Sequence, residues 1–238
     1  MNAAGGNDSS RIDGNAAQSD PSKTGGAPGS SSGNGIININ GGYLNINTAG
    51  DSIDSNGSIY MKNGTVIVNG PTNNGNGALD YDGSFEMTGG FLVAAGSLGM
   101  AQAPSLTSTQ NSVKVNLSSQ SANTLVHIES ETGDNIITFA PAKQHASVVV
   151  SSPKFKTGST YKVYIGGSST GTPTNGVYSN GIYTKGIEVG SFKISSTVSE
   201  VTQEGVTIKN MGRGQGAPGG HGGQRGQGAP DGMEPTQK

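Results

Sequence analysis

Four aspartates, Asp51, Asp54, Asp80 and Asp82, recur in two similar stretches, AGDSIDSNGSIYMKNGTVIVNG at 49–70 and NGALDYDGSFEMTGGFLVAAG at 76–96, with Asn56 and Asn76 nearby. If the stretches stack, Asp54 falls above Asp80, and carboxylates one strand spacing apart, about 4.8 Å, repel unless a cation separates them. Ca²⁺ suits such a place because it takes six to eight oxygen ligands from flexible loops. The chemistry expected at this edge is therefore Ca²⁺ binding by Asp51, Asp54, Asp80, Asp82 and Asn56. The competing expectation is that Asp and Asn merely end strands and make Asx turns. Asp80-Tyr81-Asp82-Gly83 opens like an EF-hand loop but lacks the remaining ligands.

Two further kinds of chemistry attach to the same stretches. Tyr43, Tyr60, Tyr81 and Phe91 supply flat rings of the sort that stack on the apolar faces of sugars, and Gly alignment puts Tyr43, Thr65 and Phe91 in one outward column. Lys62 projects beside the acidic edge and joins these rings as a candidate carbohydrate-binding residue, with a solvated surface lysine as the competing expectation. As the general base of a lyase it would need its pKa lowered by burial, which neighbouring carboxylates oppose. Gly167-Ser168-Ser169-Thr170-Gly171 matches the nucleophile-elbow pattern but is followed by TPTNGVYSNG, which is no helix. His127, His145 and His221 are scattered, with no metal-ligand spacing. No catalytic residue is assigned.

The elements that must position these groups follow from a repeat. Gly42, Gly64 and Gly90 each open an alternating apolar pair. Ile37/Ile39, Leu44/Ile46, Ile59/Met61, Val66/Val68, Phe85/Met87 and Leu92/Ala94 point one way. Asn38, Asn45, Asn47, Tyr60, Lys62, Asn69 and Glu86 point the other. Strands this short cannot bury one face alone and must stack on their own copies. Gly and Asn belong at the corners because tight bends need positive φ. The pattern predicts an all-β fold: a parallel β-helix over 1–101, with a long flexible insertion at 6–34. Met1-Asn2-Ala3-Ala4-Gly5 aligns with Ile53-Asp54-Ser55-Asn56-Gly57, so the chain is expected to begin inside a coil, as part of a longer parent with further coils before it.

From about residue 102 the strands lengthen, as in QNSVKVNLSSQ, HASVVVSSP and STYKVYIGG, with hairpin-like breaks between them. Residues 102–210 are expected to form an antiparallel, sandwich-like cap packed on the helix end. Residues 211–238, rich in Gly and Pro without apolar periodicity, are expected to be disordered.

Composition sets the outer bounds. Gly supplies 41 of 238 residues, there is no Trp or Cys, and the net charge is −2. Disulfides and thiolate chemistry are excluded, and no clustered Lys and Arg point to nucleic acid. No apolar run reaches the roughly 20 residues of a transmembrane segment, and no export signal is legible at the start. A monomer is expected.

The ordered series from SIDSNGSIYMKNGTVIVNGPTNNGNGALDYDGSFEMTGGFLVAAGSLGMAQAPS through TLVHIES, ITFAPAK, VVVSSP and GSTYKVYIGGSSTG resembles the C-terminal half of a bacterial family of carbohydrate-binding, polysaccharide-lyase-like β-helix proteins. The resemblance spans roughly residues 1–199. It implies a right-handed parallel β-helix, Ca²⁺ at coil-corner acidic residues, and cellulose and pectin binding outside the cell or at its surface. The expected function is non-catalytic polysaccharide binding. A pectate-lyase-like enzyme and a structural surface adhesin or spacer are the alternatives.

Overall fold

The computed structural model describes residues 2–3 and 35–207. The insertion expected at 6–34 and the tail expected at 211–238 lie outside these residues. Among the described residues there is no helix.

Nine short strands come first: β1 (Asn2–Ala3), β2 (Ile36–Ile39), β3 (Tyr43–Asn47), β4 (Ile53–Ser55), β5 (Ser58–Met61), β6 (Thr65–Asn69), β7 (Leu79–Tyr81), β8 (Phe85–Met87) and β9 (Phe91–Gly96). They pair in parallel as three ladders, β1-β4-β7, β2-β5-β8 and β3-β6-β9, and the chain visits the ladders in that order three times. The registers are those the Gly alignment predicts. Ile53 lies opposite Leu79 and Asp54 opposite Asp80, Asn2 opposite Asp54, and Tyr43, Thr65 and Phe91 form one row. The turn before the third ladder uses Gly42, Gly64 and Gly90, with φ of 85°, 99° and 88°, a region L-residues enter only at a cost.

The period-two alternation now has a physical outcome. Ile37, Ile39, Ile53, Ile59, Met61, Val66, Val68, Leu79, Phe85, Met87, Leu92 and Ala94 converge on one apolar cluster between the ladders. Leu44 and Ile46, on the outermost strand of their ladder, are only partly covered. The edges of β7 and β8 are closed by the irregular chain that follows β9. Gln102 exchanges side-chain hydrogen bonds with the backbone of Tyr81, and Ser105 and Ser108 accept from Phe85 N and Met87 N. A strand edge is thereby saturated without another strand.

Eleven strands complete the fold: β10 (Ser112–Gln120), β11 (Val126–Ser130), β12 (Asn135–Phe139), β13 (His145–Ser151), β14 (Thr160–Ile165), β15 (Ser168–Ser169), β16 (Thr172–Thr174), β17 (Val177–Ser179), β18 (Tyr183–Thr184), β19 (Ile187–Lys193) and β20 (Val198–Thr202). The third ladder does not stop at β9. It continues as a six-stranded sheet through β13, antiparallel to β9, and β10, antiparallel to β13, to β20, which runs parallel to β10 and so departs from the antiparallel pairing expected over 102–210. A second six-stranded sheet, β16-β17-β12-β11-β14-β19, is antiparallel throughout.

On its central strands β6, β9 and β13 both faces of the shared sheet are buried. Val66, Val68, Leu92 and Ala94 face the first cluster. Ile67, Val93 and Ala95 face a second, with Val113, Val115, Val148 and Val150 of their own sheet and Val126, Ile128, Phe139, Tyr161 and Val163 of the other. This corrects one expectation. Asn69, read as an outward residue, is 5 % exposed, and its Oδ1 accepts from Ala142 N at 2.7 Å. Nearby, Lys143 donates from Nζ to the carbonyls of Thr48 and Gly70, at the ends of β3 and β6.

Candidate functional site

Stacking in register assembles a row of side chains that are distant in sequence. Tyr43, Thr65 and Phe91 each start a strand of the third ladder, just after its Gly turn, and so share one position on neighbouring strands. They form one wall of a groove of about 450 Å³, within the usual range for ligand sites of about 300–1,000 Å³. The floor includes Ile67 and Ile137. The opposite wall carries Tyr178, Ser179 and Asn180 from the β16–β17 hairpin, with Asn135 and Lys154 at the rim. Tyr43 is half exposed, and its hydroxyl accepts a hydrogen bond from Asn175 Nδ2 at 2.9 Å. Lys154 Nζ donates to the Asn135 carbonyl at 3.0 Å. Among the lining residues Lys154 alone carries a full charge. The groove can therefore stack a flat, weakly polar face and hydrogen-bond its rim.

The remaining aromatic residues and Lys62 do not join this groove. Tyr60 sits on the second ladder, between Asn38 and Glu86, and Lys62 is exposed just past the end of that strand. Tyr81 is a correction to the expected sugar-binding set. It is 7 % exposed and belongs to the first apolar cluster. Its ring meets Phe85 edge-on at 6.2 Å, and its hydroxyl donates to the Ala103 carbonyl at 2.5 Å. Burial raises its pKa.

At the acidic edge, Asp54 and Asp80 stand in adjacent register on β4 and β7. Asp51 Oδ1 accepts from Gly77 N at 2.6 Å, so that carboxylate ties one pass of the chain to the next. Asp82 is exposed and Asn56 half-buried in the turns that follow β7 and β4. Among the described residues no three acidic or histidine side chains gather into a group that could hold a metal ion. Two neighbouring carboxylates supply at most four of the six to eight oxygens that Ca²⁺ takes. Among the described residues the acidic side chains of this edge do not by themselves gather into a Ca²⁺ cage.

A polar network on the outer face of β11 was not legible in the sequence. His127 is 2 % exposed; its Nδ1 lies 2.7 Å from Thr138 Oγ1 and its Nε2 3.4 Å from Glu129 Oε2. Glu129 Oε1 is 2.5 Å from Lys185 Nζ, and Tyr183 stacks on the imidazole at 3.9 Å. Thr138 is 1 % exposed, so this hydroxyl–imidazole–carboxylate arrangement offers no nucleophile to a substrate. Burial holds the His127 pKa below its ordinary value despite the nearby carboxylate. Burial pushes the Glu129 carboxyl up, but the Lys185 hydrogen bond and charge outweigh it and hold it below the ordinary range.

The groove is half legible in the sequence. Gly alignment gives the Tyr43 row; Tyr178, Asn180, Asn135 and Lys154 carry no periodic signal. The sole cue to the second wall is the pair Asn175-Gly176 and Asn180-Gly181, dipeptides that favour tight hairpin turns.

Compared with family models, curated proteins and solved structures, the chain matches none. The resemblance described above rests on its own motifs.

Proposed function

We propose that the chain is a non-catalytic polysaccharide-binding module, and that the Tyr43 groove is where the glycan lies. The observation that carries this is the groove itself. Aromatic rings on one wall face Tyr178 and amide and hydroxyl groups on the other, the mix that suits a pyranose with apolar faces and a hydroxyl perimeter. The resemblance adds a direction, towards cellulose- and pectin-type chains outside the cell. It also supports reading the three ladders as coils of a right-handed parallel β-helix whose last coils merge into the shared sheet.

Calcium enters this proposal only at Asp54 and Asp80. Two carboxylates leave its coordination incomplete, and in this proposal water and a uronate chain supply further oxygens. EDTA is then expected to weaken retention on polygalacturonate, to leave retention on cellulose alone, and to leave the melting temperature of the unliganded protein unchanged.

The experiment for the groove is affinity electrophoresis through cellulose derivatives and polygalacturonate, comparing the parent chain with Tyr43→Ala and Tyr178→Ala. Retardation of the parent that each substitution reduces by about tenfold or more in affinity, near 1.4 kcal/mol, is expected. A parent that migrates freely through every glycan tried would overturn the reading and favour a structural spacer.

A further inference from the structure

Between β14 and β19 the chain crosses to the opposite edge of the second sheet, where the β16–β17 hairpin joins β12 at the Phe139–Val177 pair and builds one wall of the Tyr43 groove, and then returns to pair with β14. Residues 166–186 contain two small ladders, β15 with β18 and β16 with β17. Two turns with positive φ fold them: Asn175 at 49° with Gly176 at 84°, and Asn180 at 57° with Gly181 at 72°. At the start of the excursion Gly166 and Gly167 have φ of 74° and 73°. Its end, Gly186, lies so close that a Cβ there would meet the Ile165 carbonyl oxygen at 2.1 Å. The segment is thus a narrow excursion between two glycine-built ends.

It is held at two places. At the tip, Asn175 bonds Tyr43, Ala140 N donates to the Gly176 carbonyl at 2.8 Å, and Val177 pairs with Phe139. At the base the hold is polar. Lys185 bonds Glu129 and Tyr164, Tyr183 covers His127, and Gly166 N donates to the Leu125 carbonyl at 2.8 Å. Residues 172–175 and 179–182 are exposed, Ile182 by 74 %, and apolar packing backs these contacts chiefly at Val177, which lies partly buried against the second cluster.

We propose that residues 166–186 are a latched flap forming one wall of the groove, and that protonation of His127 releases the latch. The groups facing the imidazole are Glu129 on its own strand, Thr138 on β12, Tyr164 on β14 and Tyr183 on β18, with Lys185 beyond Glu129. Because an ionised Glu129 can only accept, the neutral ring is assigned its proton on Nε2, towards Glu129, which leaves Nδ1 to accept from the Thr138 hydroxyl. A proton added at Nδ1 turns that nitrogen into a donor towards Thr138 Oγ1. The one carboxylate then serves two cations. Lys185, whose side chain is 55 % exposed, is the one that water can take up. Burial keeps His127 from charging while the flap is closed. The closed state therefore binds fewer protons than the open one: closure is fully favoured above the ordinary histidine value and is lost as pH falls through the lowered value.

The consequence for glycan binding rests on the function proposed above, whereas the flap motion does not. Hydrogen exchange of the unliganded protein, read by mass spectrometry on peptides covering 166–186 at about pH 7.5 and about pH 5 and corrected for intrinsic rates, tests the motion. The expected result is loss of protection in this segment at the lower pH, by up to about tenfold for each pK unit of difference between open and closed His127, with β10 and β13 unchanged. His127→Gln should make protection independent of pH, and Lys185→Met should lower it at both. Equal protection of the parent segment at both pH values, a measurement that needs no variant, overturns the proposal, as does an unchanged acid response in His127→Gln. Acid-released protection in a protein that binds no glycan at either pH would uphold the flap and refute the binding reading.

Discussion

Single residues show how far local chemistry decides this architecture. Gly42 and Gly64 share positive φ, yet among the described residues a Cβ on Gly42 meets nothing within 4 Å, whereas one on Gly64 would come within 2.8 Å of the Gly41 carbonyl carbon. Gly42→Ala is therefore expected to cost the left-handed penalty alone, about 1–2 kcal/mol. Gly64→Ala should cost clearly more, because backbone of the neighbouring pass must move. Urea midpoints of the two variants check the order. Tyr81→Phe keeps the buried ring but removes the donor to Ala103, leaving a carbonyl without that hydrogen bond. A loss of about 1–3 kcal/mol is expected, with no change in glycan retention. These positions were legible because φ at a glycine and alternation along a strand are local properties. Tyr81 was misread as a surface aromatic: alternation in LDYDG puts its ring on the same face as buried Leu79, and the segment carrying Gln102 and Ala103 closes over its edge.

Elements add constraints that period-two reading sees only in part. On β6 and β9 alternate residues face different clusters, so a strand reading of one apolar and one polar face fails at Ile67 and Val93. Their apolar character was present in the sequence, but its reason, a second sheet that begins at Val126, 33 residues after Val93 and 59 after Ile67, was not. The same holds for the groove: the Asn175–Tyr43 hydrogen bond joins residues 132 positions apart, a separation at which spacing carries no information. The element most exposed to solvent conditions is β11 with its polar network. His127 and Glu129 both have lowered pKa values in the folded state. Their contributions to stability are present above the unfolded-state values and are lost as pH falls through the folded-state values. Thermal melts are expected to shift down from pH 7 towards pH 4, and His127→Gln should remove the upper part of that shift, near the histidine range.

At the scale of the molecule, one sheet belongs to both apolar clusters. Leu92 and Ala94 are buried in the first and Val93 and Ala95 in the second, on a single strand. Loss of either cluster exposes a face of β9, so the two are expected to unfold together, as one calorimetric transition. Val93→Ala should then lower that transition without splitting it, by about 0.5–2 kcal/mol for a small truncation in a packed core. The same merger delivers the proposed function, because the row from the parallel ladder meets the hairpin from the antiparallel sheet at the Tyr43 groove. The most direct measurement is the affinity of four variants for cellulose and polygalacturonate under one set of conditions. Tyr43→Ala and Tyr178→Ala, from opposite walls of the groove, are predicted to lose about tenfold or more, while Tyr60→Ala and Lys62→Ala, on the second ladder, retain parent affinity. Equal losses in all four, or losses confined to Tyr60→Ala and Lys62→Ala, would contradict the account.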